Sequence, residues 1–295
     1  MTPVPCACVD IGSNTTRLLL AECRDGSLRE LMTQRVFTRI GRSIRRDGAI
    51  PADKLAETTD VVERQVRHAR ELGADRIAIV ATAAVRQARN GADLTGAIEA
   101  ATGLATRVLS EEDEARLAFL GASRTLGTPF EGNLCVVDVG GGSTEIAIGS
   151  LEEGVIWSQS FRIGSGFLAD SYLLSDPPSA HELEAARAHA SGTFEGLRTP
   201  PIARAVASGG SATSLRRMAG AELSHEALER AIRLLASAPS LELAERFGLD
   251  PERVRLLPAG VLILEAVGDA LGQSLKIGNG GIREGVVLEL AAAAA

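Results

Sequence analysis

Apolar residues near the start of the chain occur in short runs separated by polar and glycine-containing breaks, which is the pattern of β-strands. The breaks at 10–14 and at Asp25-Gly26 are typical of tight turns, so we expect the first strands to pair in antiparallel fashion. From 51 to 72 the apolar positions instead recur at helical spacing, with Pro51 at the start and Gly73 after the end. The predicted strands of this part are 4–11, 15–22, 28–37, 76–81 and 107–109, and the predicted helices are 51–72, 94–102 and 111–121.

The pattern then restarts, because a strand at 134–139 is again followed by a glycine-rich turn and a second strand at 144–149. At one constant offset, Val9-Asp10-Ile11-Gly12 aligns with Val137-Asp138-Val139-Gly140. The repeat predicts two related α/β domains, 1–122 and 123–282, with a last helix at about 283–295 that can pack back on the first domain. The second domain is completed by predicted helices at 181–197, 212–218, 226–236 and 259–271 and predicted strands at 203–208 and 274–277.

Length and composition agree with two domains and exclude one class of partner. At 295 residues and 45% hydrophobic, the chain exceeds a typical single core. Aromatic residues make up only 3%, which leaves few platforms on which nucleic-acid bases could stack. The formal net charge of −7 repels polyanions at long range, so a phosphate-rich substrate must be held by a local cluster of donors. We therefore expect no nucleic-acid partner.

The chain shows no targeting or membrane signal. No basic segment followed by an apolar stretch precedes its first acidic residue. The longest apolar stretch, 256–267, contains Pro258 and Glu265 and is far shorter than the roughly 20 residues that span a bilayer. We expect a cytoplasmic protein without a membrane segment.

The cysteines and histidines are expected to be structural. The cysteines lie in apolar, strand-like surroundings without the paired spacing of a zinc site, so we predict buried reduced thiols. These cysteines are Cys6, Cys8, Cys23 and Cys135. The histidines are scattered among polar helical segments and are predicted at the surface. They are His68, His181, His189 and His225.

Three turns carry candidate phosphate-binding residues. An aspartate at a strand end, followed by small residues, sets a carboxylate beside backbone N–H groups that can approach phosphate oxygens closely. The turns 10–14 and 138–143 have this form, and the turn 208–212 opens a helix whose free N–H groups favour an anion. An ordinary hairpin explains one such turn alone, but two in equivalent places favour phosphate binding. The candidate residues are Gly12, Ser13, Asn14, Gly141, Gly142, Ser143, Gly209, Gly210 and Ser211.

Five segments spread over the chain carry a more specific signal. They are Val9-Asp10-Ile11-Gly12-Ser13-Asn14-Thr15-Thr16-Arg17-Leu18, Ala81-Thr82-Ala83-Ala84-Val85-Arg86, Leu109-Ser110-Glu111-Glu112-Asp113-Glu114-Ala115-Arg116, 138–145 and Ile282-Arg283-Glu284-Gly285. Together they resemble the signatures of the exopolyphosphatase and guanosine-pentaphosphate phosphatase family, within the actin-like ATPase superfamily. The resemblance implies an α/β fold with two ribonuclease H-like domains and an interdomain cleft, and hydrolysis of terminal phosphoanhydrides.

The resemblance also assigns acidic residues to roles. Glu114 matches the family's catalytic base, and a carboxylate there could deprotonate or orient the attacking water. The acidic residues at 111–113 are explained by the favourable charge at a helix N-terminus. Asp10 and Asp138 are the expected Mg²⁺ ligands. Glu145, acidic on an otherwise apolar strand, is expected to help bind metal or water.

Arginines complete the expected site, since a guanidinium group suits bidentate phosphate contact. Arg17, Arg86 and Arg253 match arginines that related proteins direct toward the phosphate chain. For Arg17 and Arg253 a surface salt bridge is an open alternative. A further basic run could guide a long polyphosphate, but a solvated arginine-rich loop is the preferred interpretation and the run is left outside the site. It consists of Arg35, Arg39, Arg42, Arg45 and Arg46.

Two positions depart from the family's pattern. Phe167 stands where the family commonly has an arginine, and it cannot pair with phosphate. Gly278-Asn279 replaces the usual Ser-Asp and so removes a carboxylate. Both departures bear on substrate preference.

The function predicted from these features is that of an exopolyphosphatase, which releases terminal orthophosphate from inorganic polyphosphate by Mg²⁺-dependent hydrolysis. Guanosine pentaphosphate is the alternative substrate. A non-catalytic sensor of guanosine tetra- or pentaphosphate is disfavoured because Glu114 and Glu145 are both present. An actin-fold small-molecule kinase is less favoured because the sequence has no clear aspartate base or adenosine pocket. A homodimer is also expected.

Overall fold

The structure is a computed structural model that describes residues 5–24, 27–127 and 130–293. It divides into two compact units, Met1–Gly127 with Gly280–Ala295 and Thr128–Asn279, called here the first and second units. The predicted hairpin turn at Asp25-Gly26 lies outside the described residues.

The first unit is a mixed sheet covered by helices on both faces. Its strands have the order β3-β2-β1-β4-β5, in which β1 to β3 are antiparallel neighbours and β4 and β5 run parallel to β1. The strands are β1 (Pro5–Ile11), β2 (Thr16–Arg24), β3 (Ser27–Val36), β4 (Arg76–Ala81) and β5 (Thr106–Val108). The helices are α1 (Ile40–Asp47), α2 (Ala52–Glu71), α3 (Ala83–Gln87), α4 (Gly91–Thr102), α5 (Glu111–Arg124) and, from the end of the chain, α12 (Ile282–Ala292).

Both faces of this sheet are buried because β1 is apolar at consecutive positions. Val9 and Ile11 join a core that includes Val62 of α2, whereas Cys8 joins a second core that includes Val287 of α12. A strand covered on both faces is expected to form a continuous apolar run. Asp10, beside the end of that run, is thereby held at a fixed position at the strand's carboxyl end.

The second unit repeats this plan with additional elements. Its strand order is β10-β11-β9-β6-β7-β8, in which β6 to β8 are antiparallel neighbours and β9 and β11 run parallel to β6. The strands are β6 (Leu134–Val139), β7 (Thr144–Ser150), β8 (Gly154–Phe161), β9 (Arg204–Ser208), β10 (Glu222–Leu223) and β11 (Leu275–Ile277). The helices are α6 (Ser165–Tyr172), α7 (Ala180–Phe194), α8 (Gly209–Ala219), α9 (His225–Leu235), α10 (Ser240–Phe247) and α11 (Pro251–Leu271).

The shared strand order confirms the predicted α/β class and the predicted duplication into ribonuclease H-like domains. The repeat extends to single residues, because Asp10 faces Arg17 across β1 and β2 just as Asp138 faces Glu145 across β6 and β7. Each unit therefore presents an aspartate at the same place beside its first turn.

Several elements were not predicted. The arginine-rich segment expected to be a solvated loop contains α1, whose Ile40 and Ile44 are buried one turn apart. The helix begins after Arg39, which has a left-handed backbone (φ 54°) and no side-chain cap, so the usual sequence signal for a helix start is missing. The other unpredicted elements are α3, α6, α10, β8 and β10.

The burial of a few side chains also differs from expectation. Cys6, Cys8 and Cys135 are buried as predicted, but Cys23 is only half-buried near the end of β2. His68 and His189 are half-buried rather than at the surface. His68 lies 2.9 Å from the Gln34 side-chain amide, and His189 stacks near Phe167 and Tyr172, contacts that helical polarity alone does not reveal.

Among the described residues, no helix has both the length and the apolar character needed to cross a bilayer.

Candidate active site

The first turn joins β1 to β2 and is closed by backbone hydrogen bonds. The Gly12 amide donates to the Thr15 carbonyl oxygen at 3.0 Å. The Ser13 and Asn14 carbonyl oxygens accept from the amides of Gly41 (2.8 Å) and Arg39 (3.0 Å). The turn that was predicted to bind phosphate is therefore braced by α1, which sequence reasoning had left outside the site.

Asp10 is the acidic group of this turn. Its Oδ1 atom is buried and has no hydrogen-bond partner among the described residues. Burial raises the pKa of the Asp10 carboxyl above its usual value, while the nearby Arg283 and Arg17 act in the opposite direction. A buried carboxylate oxygen without a donor is costly, and binding a cation would offset that cost.

Arg86 and Glu114 meet in the first unit. Glu114 lies in the first turn of α5 and is only 2% exposed, and its Oε1 accepts a hydrogen bond from Arg86 Nη1. The same Arg86 atom also donates to the Leu109 carbonyl oxygen, and Arg86 Nη2 is 3.7 Å from Glu111 Oε1. Ser110 caps α5 by accepting from the Asp113 amide at 3.0 Å. The cap and the arginine together fix the carboxylate predicted to be the base.

The structure bears on two expectations for these side chains. The interpretation of 111–113 as a favourably charged helix N-terminus fits the observed start of α5 at Glu111. Arg86, predicted to contact phosphate, is engaged with Glu114, a pairing that the sequence did not indicate.

The turn in the second unit has the same hydrogen bonding as the first. The Gly140 amide donates to the Ser143 carbonyl oxygen at 3.0 Å, as Gly12 does to Thr15. The Gly140 carbonyl oxygen accepts from the Ser165 amide at 2.9 Å, and the Gly141 carbonyl oxygen accepts from Gly166 at 3.0 Å. The start of α6 thus braces this turn in the way that α1 braces the first.

Two carboxylates stand opposite each other beside this turn. Asp138 and Glu145 are paired positions on β6 and β7, 8% and 3% exposed, so their side chains share one face of the sheet. Glu145 Oε1 accepts from Ser160 Oγ at 2.9 Å, a supporting residue that the sequence analysis missed because β8 was not predicted. Like charges at directly opposed positions are unfavourable without a cation. The pair therefore fits a divalent metal.

The third turn contacts Asp138 directly. Gly209 has φ +84°, and a Cβ built there would overlap Asp138 Oδ1 and lie 3.1 Å from the Val139 carbonyl oxygen. Ser208 Oγ and Ser211 Oγ are buried and have no hydrogen-bond partner within the described segments. The turn and the carboxylate were predicted separately, and the structure brings them together in the second unit.

The remaining two arginines are not solvated surface groups. Arg253, in the first turn of α11, is only 5% exposed, which excludes the surface salt bridge. Arg17 is half-buried beside the first turn. Position by position, the first unit holds Asp10, Gly12, Ser13, Asn14, Arg17, Arg86 and Glu114, and the second holds Asp138, Gly141, Gly142, Ser143, Glu145, Gly209, Gly210, Ser211 and Arg253.

The two departures from the family's pattern have structural partners. Phe167 packs against the core of the second unit, with its ring centroid 5.7 Å from that of His189. Asn279 Oδ1 accepts from Arg216 Nη2 at 3.0 Å.

Comparisons with known sequences and with solved structures indicate the same family. A sequence model of the Ppx/GppA phosphatase family matches residues 19–294. Exopolyphosphatase 1 of Mycobacterium tuberculosis is 30% identical over 95% of this chain and 86% of its own length. Exopolyphosphatase 2 of the same organism is 30% identical over 97% of this chain and 98% of its own length.

Solved structures show the same architecture. The Ppx/GppA family member of Aquifex aeolicus superimposes with a TM-score of 0.82 at 26% identity, over 99% of this chain and 98% of that one. An exopolyphosphatase from Cytophaga hutchinsonii has the same fold, with a TM-score of 0.86 at 19% identity over 98% of both chains. The predicted resemblance and the class of phosphoanhydride hydrolase are confirmed, and the chain belongs to the Ppx/GppA phosphatase family.

Proposed function

We propose that this protein is an exopolyphosphatase that hydrolyses the terminal phosphoanhydride of inorganic polyphosphate, with Glu114 activating the water. The observation that carries the proposal is the buried Glu114 carboxylate held by Arg86 in a chain of this phosphatase family. An adjacent guanidinium stabilises the charged form of a carboxylate, and that form is the one that accepts a proton.

The phosphate groups are held by backbone donors. Backbone N–H groups at 13–14, 141–143 and 209–211 are the proposed phosphate donors, because small side chains in these turns let phosphate oxygens approach the backbone. Arg17 and Arg253 are the further candidate donors in their respective units. Glycine and serine in these turns keep side chains from displacing the phosphate, so donors and anion can come within hydrogen-bonding distance.

Asp10, Asp138 and Glu145 are the residues proposed to hold Mg²⁺. The fit rests on the buried Oδ1 of Asp10, which has no hydrogen-bond partner among the described residues, and on the opposed, buried carboxylates of Asp138 and Glu145. Carboxylate oxygens are the ligands that Mg²⁺ prefers, and when bound the ion supplies charge neutralisation on the phosphate oxygens.

The chemical step is an in-line displacement at the terminal phosphorus. Glu114 orients a water and accepts its proton as the oxygen–phosphorus bond forms. The bond from phosphorus to the bridging oxygen breaks, and the shortened chain leaves with the electron pair. Backbone N–H groups and arginines stabilise the charge on the transferring group, and orthophosphate is released.

Guanosine pentaphosphate remains the second candidate substrate, since it presents the same terminal phosphoanhydride. Polyphosphate is favoured because the curated relatives reported above are named exopolyphosphatases. A homodimer and a cytoplasmic location remain proposals from the sequence.

The test is phosphate release from medium-chain polyphosphate and from guanosine pentaphosphate in parallel, with ATP as control, with Mg²⁺ and with a chelator. The proposal predicts faster Mg²⁺-dependent release from polyphosphate than from the other two. Faster release from guanosine pentaphosphate would reassign the substrate. Undiminished release in chelator would remove the metal from the account.

A further inference from the structure

Arg283 lies in the segment 282–285, which carries part of the family resemblance but has no role in the proposed hydrolysis. The segment forms the first turn of α12, the helix that returns from the end of the chain to the first unit. The side chain of Arg283 is only 17% exposed. Arginine stays charged at every physiological pH and is rarely buried without a partner. We therefore looked for the group that Arg283 serves.

The packing of α12 places Arg283 beside Asp10. Cys8 of β1 and Val287 of α12 belong to one buried core. Asp10 is two residues after Cys8, so both side chains are on the same face of the strand. Arg283 is one helical turn before Val287, so both are on the same face of the helix. The pair Asp10 and Arg283 thus continues the contact between strand and helix.

The direction of α12 agrees with this placement. Arg76, the first residue of β4, is paired with Cys6 on β1 and donates to the Leu290 carbonyl oxygen at 3.1 Å. The end of α12 therefore lies by the start of β1, and its first turn lies toward the carboxyl end, where Asp10 is. Burial raises the pKa of the Asp10 carboxyl and the charge on Arg283 lowers it, as expected of neighbours.

These two neighbours do not bind each other directly. Among the described residues, the ion pair of Arg283 is with Glu284, whose Oε1 is 3.7 Å from Nη2 and so beyond hydrogen-bonding distance. Glu284 Oε2 accepts instead from the Gly281 amide at 2.8 Å. Within the same described segments Arg283 donates no hydrogen bond, and Asp10 Oδ1 accepts none. Donors and an acceptor therefore stay open side by side in a largely buried place.

The charges around Asp10 favour an anion that reaches Arg283. Arg17 faces Asp10 from β2, so Asp10 has a guanidinium group on its strand side and another on its helix side. With Mg²⁺ held by Asp10, as in the proposed function, the positive charge here exceeds what Asp10 and Glu284 neutralise. Phosphate oxygens supply the missing negative charge, since they bind both a divalent cation and guanidinium groups.

We propose that Arg283 binds the phosphate group held beside Asp10, next to the point of cleavage. The inference rests on the proposed function, because it adds a donor to the same phosphate site. A guanidinium group contacts phosphate oxygens bidentately, and a partly buried bond of this kind is stronger than one in water. Because the contact lies at the cleaved end, it is made by short and long chains alike.

The first experiment compares Arg283→Gln with Arg76→Gln. Arg76→Gln is the matched control, because it removes the same charge from the first unit and frees the other end of α12. We expect kcat/KM for Arg283→Gln to fall about 100-fold, equally for tripolyphosphate and for long-chain polyphosphate, and Arg76→Gln to keep the wild-type value. Arg283→Lys keeps the charge without the paired donors and should lose about tenfold.

The second experiment measures binding without turnover. Tripolyphosphate is titrated by calorimetry into wild type, Arg283→Gln and Arg76→Gln in the presence of a chelator. We expect Kd to rise about tenfold for Arg283→Gln alone, because a charged hydrogen-bond donor is lost. Circular dichroism and urea midpoints confirm that each variant is folded; if Arg283→Gln is not, Arg283→Lys takes its place in both experiments.

The outcomes separate this inference from the proposed function. Unchanged kcat/KM and Kd in the folded Arg283 variant, or an equal loss in Arg76→Gln, would overturn the assignment of Arg283. A loss confined to long-chain polyphosphate would also contradict it, because Arg283 would then lie away from the cleaved end. If the wild type hydrolyses neither substrate, the proposed function fails, and the comparison of Kd values still decides whether Arg283 binds phosphate.

Discussion

Replacing Gly209 by alanine should displace the Asp138 carboxylate, which the third glycine turn contacts. Gly209 has φ +84°, in the region where a side chain is disfavoured, and a Cβ there would overlap Asp138 Oδ1. Either the turn or the carboxylate must move. Gly196 is the matched control, because it has φ +72° with nothing within 4 Å of a Cβ built on it.

The two effects can be given separate magnitudes. An alanine at positive φ costs about 1 kcal/mol of stability, and Gly196→Ala should show this cost and no loss of activity. Gly209→Ala should show the same cost together with a displaced Asp138. A displacement of about 1 Å in a catalytic arrangement can lower the rate on the order of 100-fold.

The assay is phosphate release from polyphosphate, paired with urea denaturation of both variants and the wild type. We expect similar denaturation midpoints for Gly209→Ala and Gly196→Ala, and kcat/KM reduced about 100-fold only for Gly209→Ala. Equal activity in the two variants would refute the argument that Gly209 is needed for the position of Asp138.

Three further expectations concern stability and reactivity. Burial raises the pKa of the Cys135 thiol to about 12, so maleimide labelling of the folded protein followed by mass spectrometry should modify half-buried Cys23 and leave Cys135 intact. Arg187→Gln should destabilise by about 2 kcal/mol in urea, more than Glu265→Gln, because it leaves a buried carboxylate without its partner. Burial raises the pKa of the Glu265 carboxyl, so its contribution to the free energy of unfolding becomes less favourable as pH rises. The stability lost in Arg187→Gln should therefore be smaller at about pH 5 than at about pH 8. A loss of stability that grows on acidification would contradict this. Gly285→Ala should lower the free energy of unfolding by about 2 kcal/mol in urea denaturation, because its Cβ would overlap the backbone of α5. An unchanged urea midpoint would mean that the two helices are farther apart.

The fold could be predicted because its strongest signals are local and occur twice. β1 and β6 are apolar runs ending in an aspartate and a glycine turn, and each stands at the centre of its sheet. The predicted bounds of β4 and β6 agree with the structure. The short helix α1 was missed because it has only two buried isoleucines, Ile40 and Ile44, and no capping side chain.

The turns of the candidate site could be predicted from the sequence, whereas the contacts between side chains of different elements could not. The turn residues follow from strand ends and small side chains, which are visible in sequence. The contact between Arg86 and Glu114 joins positions 28 apart, and that between Glu145 and Ser160 joins positions 15 apart. Such contacts depend on how helices and strands pack, which periodicity does not specify. The offset between the two repeats, extended beyond the turns, is the signal that points to α6 as the counterpart of α1.

The most direct measurement of the central claim is phosphate release from polyphosphate by Glu114→Gln beside Glu112→Gln. Both substitutions remove one carboxylate from the first turn of α5, but Glu112 is exposed and Glu114 is 2% exposed and bound to Arg86. With Glu114 as the base, Glu114→Gln should lose about 100-fold or more in kcat while Glu112→Gln keeps the wild-type rate, both with the wild-type circular dichroism spectrum. A folded Glu114→Gln variant that released phosphate at the wild-type rate would show that another group activates the water.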